Sequence, residues 1–132
     1  LYGANLTGAN LRLTSLRFTN LINANLTDAD LKMAVIGKAN LNSANLTGAY
    51  LNGANINKTN LTGANLSGAN FTNSHLNFAI LKNAILDGAD FTGAYLNGAK
   101  LEGIIANNLV ACPKLLPKEW ICKNKMIIKI KR

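Results

Sequence analysis

Along the first hundred residues an apolar residue recurs at every fifth position. Leu, Ile or Phe occupies all 21 positions from Leu1 through Leu101: seventeen Leu, together with Ile36, Ile56, Phe71 and Phe91. Two residues before each, from position 4 to 99, stands a small residue, Ala in sixteen of twenty cases and Thr14, Thr19, Thr59 or Ser74 in the rest. The position between is Asn or Asp in twelve of twenty cases. The unit reads A-N-L-x-x, and it lapses after Leu101, since position 106 is Ala.

A period of five fits neither regular element. In an α-helix five residues rotate by about 500°, so successive Leu would spiral around the axis. In a continuous strand an odd period places alternate Leu on opposite faces. The chain must therefore turn once per unit. Ala and Leu share a face of a short extended piece, and the last two positions make the corner. Ten of the eleven glycines fall at the second corner position, from Gly3 and Gly8 to Gly103. Glycine makes a turn of positive φ there without steric cost.

Longer coincidences set the number of units per coil. Phe71 and Phe91, Ile36 and Ile56, and Arg12 and Lys32 are each 20 apart, and N-L-T recurs at 5–7, 25–27 and 45–47. The sequence thus predicts an all-β fold, a square parallel coil of four units per turn with Leu stacked on Leu. About five coils at ~4.8 Å each would make a prism roughly 25 Å long. Each inward Leu gains about 1.5–3 kcal/mol from burial, and stability accumulates almost additively along the axis. Asn ladders are expected to pair by mutual hydrogen bonds between stacked amides.

Residues 107–132 differ in kind from 1–106 and form a second expected unit. They hold both prolines, both cysteines and the single Trp, with seven basic residues and one acid, net +6; residues 1–106 are net +2. Alternation over Met126–Ile130 reads as a half-buried strand, turning near Lys123–Lys125 to pair with Trp120–Cys122. The segment is expected to cap the last coil, with Trp120, Ile121, Met126, Ile128 and Ile130 on the open rung and lysines in water. Without it an open coil invites end-to-end pairing, so the expected states are a monomer or a weak end-to-end dimer. Cys112 and Cys122 are a candidate disulfide, which would imply an oxidising compartment such as a periplasm or lumen; two buried thiols, and a cytoplasmic protein, are the alternative.

Composition removes several classes. Aromatics are 6% of the chain, which excludes a core built on stacked rings. Charged residues are 15%, against about 25% in ordinary domains, which argues against a coiled coil. No run of 18 apolar residues marks a membrane-spanning helix. No nucleophile motif, phosphate loop or zinc spacing is present, so no catalytic residue, metal or cofactor is expected. His75 reads as a solvated substitution for Asn. Asp30 and Asp90 fall in one outward column but about 14 Å apart by the stacking rise, too far for a glycosidase pair.

The runs A-N-L-T-G, A-N-L-S-G and A-D-F-T-G resemble the pentapeptide-repeat family over residues 1–103. The tail C-P-K-L-L-P-K-E-W-I-C-K-N-K is similar to endings of cyanobacterial members. The resemblance implies a right-handed quadrilateral β-helix. Some members inhibit DNA gyrase by imitating DNA. That mimicry needs a strongly negative surface, and a chain of net +8 does not meet the requirement.

The expected function is a non-enzymatic scaffold that presents a rigid surface to a protein partner. The candidate patch is Arg12, Leu13, Arg17, Phe18, Lys32, Met33 and Lys38, where other units carry Gly, Thr or Asn, with Phe78 continuing the Phe18–Lys38–Lys58 column. Ile80 and Ile85 form a smaller apolar exposure. Two alternatives are a basic tail contacting nucleic acid or an anionic membrane, and an ice- or polymer-binding face of Asn5/Thr7, Asn25/Thr27, Asn45/Thr47 and Asn65/Ser67.

Overall fold

The computed structural model describes residues 1–131; Arg132, counted above in the basic tail, lies outside the described residues. The chain turns at every unit, and each outward residue bridges in parallel to the residue 20 positions on: Asn5 to Asn25, Asn25 to Asn45, and so on to Ile85 with Ile105. Four units therefore complete one turn. The central Leu, Ile and Phe side chains are buried from Leu16 through Leu101, and the Ala column lines the same interior. Leu6 and Leu11, in the first coil, are only partly covered. Phe71 and Phe91 stack inside the prism with ring centroids 4.8 Å apart and planes within 1°. The core therefore does contain one ring stack, because residues 20 apart lie directly over one another.

The backbone hydrogen bonds explain the unit itself. Around Leu46, four of the five N–H groups find carbonyls. Leu46 donates to Asn65, Gly48 to Ser67, Ala49 closes the turn onto Leu46, and Tyr50 donates to Ala29, at 2.7–3.0 Å. The fifth, the first-corner Thr47 N–H, donates to Asn45 Oδ1 at 3.0 Å. All twelve outward Asn and Asp side chains accept the N–H two residues on in this way. Asn recurs because it supplies the acceptor that the coil backbone lacks. The expectation of stacked amide ladders is corrected: the side-chain oxygens turn onto their own corner instead.

All 21 second-corner residues adopt positive φ, between 56° and 77°. Ten are glycine; the rest include Leu13, Phe18, Met33, Lys38, Lys58 and Phe78. The coil requires this conformation whatever residue supplies it.

Parallel pairing continues past position 106, to Asp90 with Ala111 and Tyr95 with Leu115. One extra residue is taken up between Ile105 and Ala111, so the coil does not end at the expected boundary. Strands β1 (Trp120–Lys123) and β2 (Met126–Lys129) then form an antiparallel hairpin with Cys122 opposite Ile127. Its turn residues Asn124 and Lys125 both have positive φ, 52° and 59°, as a two-residue primed turn needs. The hairpin is tied to the coil by Ile127 N–H to Ala106 O at 3.3 Å and Leu109 N–H to Lys125 O at 3.0 Å. Cys112 and Cys122 are joined by a disulfide.

Of the expected inward set only Trp120 faces the core; the others lie on the opposite face. Ile127 is buried, and Trp120, Cys122 and Leu116 pack partly against the core. Ile121, Met126, Ile128 and Ile130 are exposed, Ile128 at 40%. Strand pairing puts Ile121 opposite Ile128 and Lys123 opposite Met126, so these four share the outer side.

Candidate functional site

Two adjacent corners of the prism carry the candidate patch, and the structure divides it. At the first corner Arg12 Nη1 reaches Asp30 Oδ2 at 3.5 Å, and Lys32 Nζ lies 5.1 Å from the Tyr50 ring centroid. Both cations are engaged with the face that precedes their corner. Met33 Sδ lies over Gly53, where a Cβ would collide with it. Leu13 stands 74% exposed.

The second corner gathers the rest. Arg17 Cζ and Lys38 Nζ each lie 5.5 Å from the Phe18 ring centroid, a spacing at which the ring face attracts both cations. Below them in the column stand Lys58 and Phe78. Phe18 and Phe78 are 69% and 61% exposed, both with φ of 60°. A left-handed conformation costs a non-glycine residue about 1–2 kcal/mol. The other three second-corner columns are mostly Gly, Asn, Asp and Ser; this one reads Phe, Lys, Lys, Phe before its first glycine. That glycine, Gly98, meets two demands: its φ is positive, and a Cβ there would enter the Phe78 ring.

Between these side chains lies an open depression of about 300 Å³, lined by Arg17, Val35, Gly37, Lys38, Asn55, Asn57 and Lys58. Sequence reasoning singled out Arg17 and Lys38 and noted Lys58 only as a column member; it missed the other four. Two signals mark them. Gly37 is the one glycine out of phase, at a first corner, and Val35 interrupts the outward Asn positions. The depression exists because Gly37 has no side chain where Arg17 and Asn57 carry one. A Cβ at Gly37 would lie 3.3 Å from Asn57 O, tighter than an ordinary contact.

The remaining candidates resolve simply. His75 is exposed and stacks on Tyr95, with centroids 5.1 Å apart and planes within 6°. Asp30 and Asp90 share a column separated by Tyr50 and Asn70. Among the described residues no three His, Cys, Asp or Glu side chains lie close enough to hold a metal ion, and no helix is long and apolar enough to cross a membrane. Ile80 and Ile85 are half-buried. On the Asn–Thr face, Thr7, Thr27 and Thr47 donate their hydroxyls to the neighbouring Asn Oδ1 at 2.6–2.7 Å.

Comparison with known proteins agrees with this geometry. The model of pentapeptide repeats matches residues 1–36, 34–68 and 64–103, in eight copies. The chain is similar to the crystal structure of the pentapeptide repeat protein Rfr23 from the cyanobacterium Cyanothece 51142. The TM-score is 0.80 at 31% identity, over 83% of this chain and 89% of that one. It is also similar to HetL, a pentapeptide repeat protein involved in heterocyst differentiation regulation in Nostoc sp. strain PCC 7120. There the TM-score is 0.66 at 30% identity, over 83% of this chain and 60% of HetL. A search of curated proteins found no match.

Proposed function

This chain belongs to the pentapeptide-repeat family, and on that premise we propose that it is a non-catalytic scaffold that docks an acidic segment of a protein partner along the Arg17–Phe18–Lys38–Lys58–Phe78 corner. One observation carries the reading. Phe18 and Phe78 are exposed at corner positions of positive φ, where glycine would serve the fold without strain. Backbone strain kept at a surface site points to use of that site.

The surroundings fit the same reading. Arg17, Lys38 and Lys58 have no carboxylate partner among the described residues, whereas Arg12 is paired with Asp30. Exposed rings beside uncompensated cations are the composition of an interface anchor for an acidic chain. The prism supplies rigidity: Lys38, Lys58 and Phe78 donate their N–H groups to the Asn57, Asn77 and Asn97 carbonyls one coil on, so little ordering entropy is lost on docking.

A photo-cross-linking amino acid tests the assignment. Placed at Phe18 or Phe78, it should trap a discrete protein partner, with a yield that falls as salt is raised. Placed at Gly68, on the diagonally opposite corner where a side chain has open space, it should trap none. Equal products from the two corners would refute the assignment.

A further inference from the structure

We infer that the depression floored by Gly37 is an oxyanion-binding site, taking a carboxylate or phosphate group from solution without help from any partner protein. The inference goes beyond the docking reading and stands or falls separately from it.

The argument begins with an unused backbone donor. In this column the first-corner N–H groups of Asn57, Asn77 and Asn97 are satisfied by one of two routes, and those of Arg17 and Gly37 by neither. An outward Asn two residues before accepts it, as Asn55 does for Asn57 at 3.1 Å. Where the outward residue is His75 or Tyr95, the first-corner Asn of the preceding coil steps in: Asn57 Oδ1 accepts from Asn77 N–H at 2.9 Å, and Asn77 Oδ1 from Asn97 N–H at 3.2 Å. Gly37 has neither. Its outward residue is Val35, which offers no oxygen, and the preceding coil offers Arg17, which has only donors. The Gly37 N–H has no hydrogen-bond partner among the described residues, although Gly37 is buried. A buried N–H without a partner is costly.

The polar side chains around this N–H present chiefly donors as well. Asn55 Oδ1 and Asn57 Oδ1 are committed to Asn57 N–H and Asn77 N–H, and neither side-chain NH2 group has an acceptor among the described residues. The three charged side chains of the lining, Arg17, Lys38 and Lys58, are all cationic. An amide N–H at the floor, carboxamide donors on the wall and cations at the rim form an arrangement that attracts an anion and repels a metal ion. Uncapped corner N–H groups occur elsewhere, behind Ser15, Tyr50, Ile80, Ile85 and Lys100. At Gly37 the uncapped N–H belongs to a residue without a side chain, at the floor of a depression whose lining carries Arg17, Lys38 and Lys58.

The test is a titration of the 15N-labelled protein, read at the Gly37 amide, at constant ionic strength with sodium phosphate, sodium acetate or sodium chloride. The expected result is a saturable downfield shift with phosphate or acetate and none with chloride. Saturation by phosphate alone identifies a phosphate group as the ligand class, and saturation by acetate identifies a carboxylate. Val35→Asn is the decisive variant. The introduced amide oxygen takes the Gly37 N–H in the way Asn55 takes that of Asn57, so binding should weaken by at least about tenfold while the melting temperature holds or rises. Arg17→Ser with Lys58→Ser should weaken it comparably without unfolding a surface corner. A linear shift with every salt, or wild-type affinity in Val35→Asn, overturns the site. Cross-linking at Phe18 would be unaffected by that outcome, so the two readings fail independently.

Discussion

The coil and its terminal hairpin are both built from alternating apolar and polar residues, yet they use the alternation differently. In the coil each apolar position is repeated 20 residues later and stacked on its counterpart, so Leu46, Leu66 and Leu86 share one environment. In the hairpin both sides of the ribbon carry apolar residues: Trp120, Cys122 and Ile127 on one, Ile121, Met126, Ile128 and Ile130 on the other. Moving a strand by one residue exchanges its faces. Repetition prevents that exchange in the coil. In the hairpin a few local ties decide it: Ile127 onto Ala106, Leu109 onto Lys125 and the Cys112–Cys122 disulfide.

Five substitutions at four positions sharpen the contrast. The largest effect belongs to Leu61→Asp. Leu61 is 2% exposed in mid-prism, and a carboxylate there has no partner, so the loss should exceed about 4 kcal/mol. Circular dichroism melting checks it; a variant that melts like the wild type would refute the inward assignment. Next is the pair Ile127→Asp and Ile128→Asp. The first should cost about 2–4 kcal/mol and the second no more than about 0.5 kcal/mol, measured by denaturant unfolding. Equal losses would mean that the hairpin face has been misassigned. Last comes Asn60. Asn60→Ala removes the acceptor for Thr62 N–H and Thr62 Oγ1 and should cost about 1 kcal/mol. Asn60→Asp keeps that oxygen and should stay near the wild type. A loss in Asp equal to that in Ala would show that the cap is not what Asn supplies.

The candidate site was legible only in part. Arg17, Phe18 and Lys38 stand out because they break a bland corner, and that departure is visible without coordinates. Arg12 and Lys32 break it equally, yet they turn onto Asp30 and Tyr50. The direction in which a long side chain leaves a corner depends on its neighbours one coil away. Gly37 and Val35 were legible as irregularities, but their meaning rests on a hydrogen bond that most other units make and this one does not.

The sequence by itself determined the architecture. A strict period of five with small residues two before each Leu admits one solution, a chain that turns once per unit, and the 20-residue coincidences close it at four units. Every unit repeats the same constraint, so no single contact has to be known. The tertiary structure alone decided what happens where repetition ends or is broken: the extra residue between Ile105 and Ala111, the face of the hairpin, the cap made by each Asn and the donor left open at Gly37. These depend on where one backbone atom finds its partner in space, and a pattern along the chain does not contain that distance.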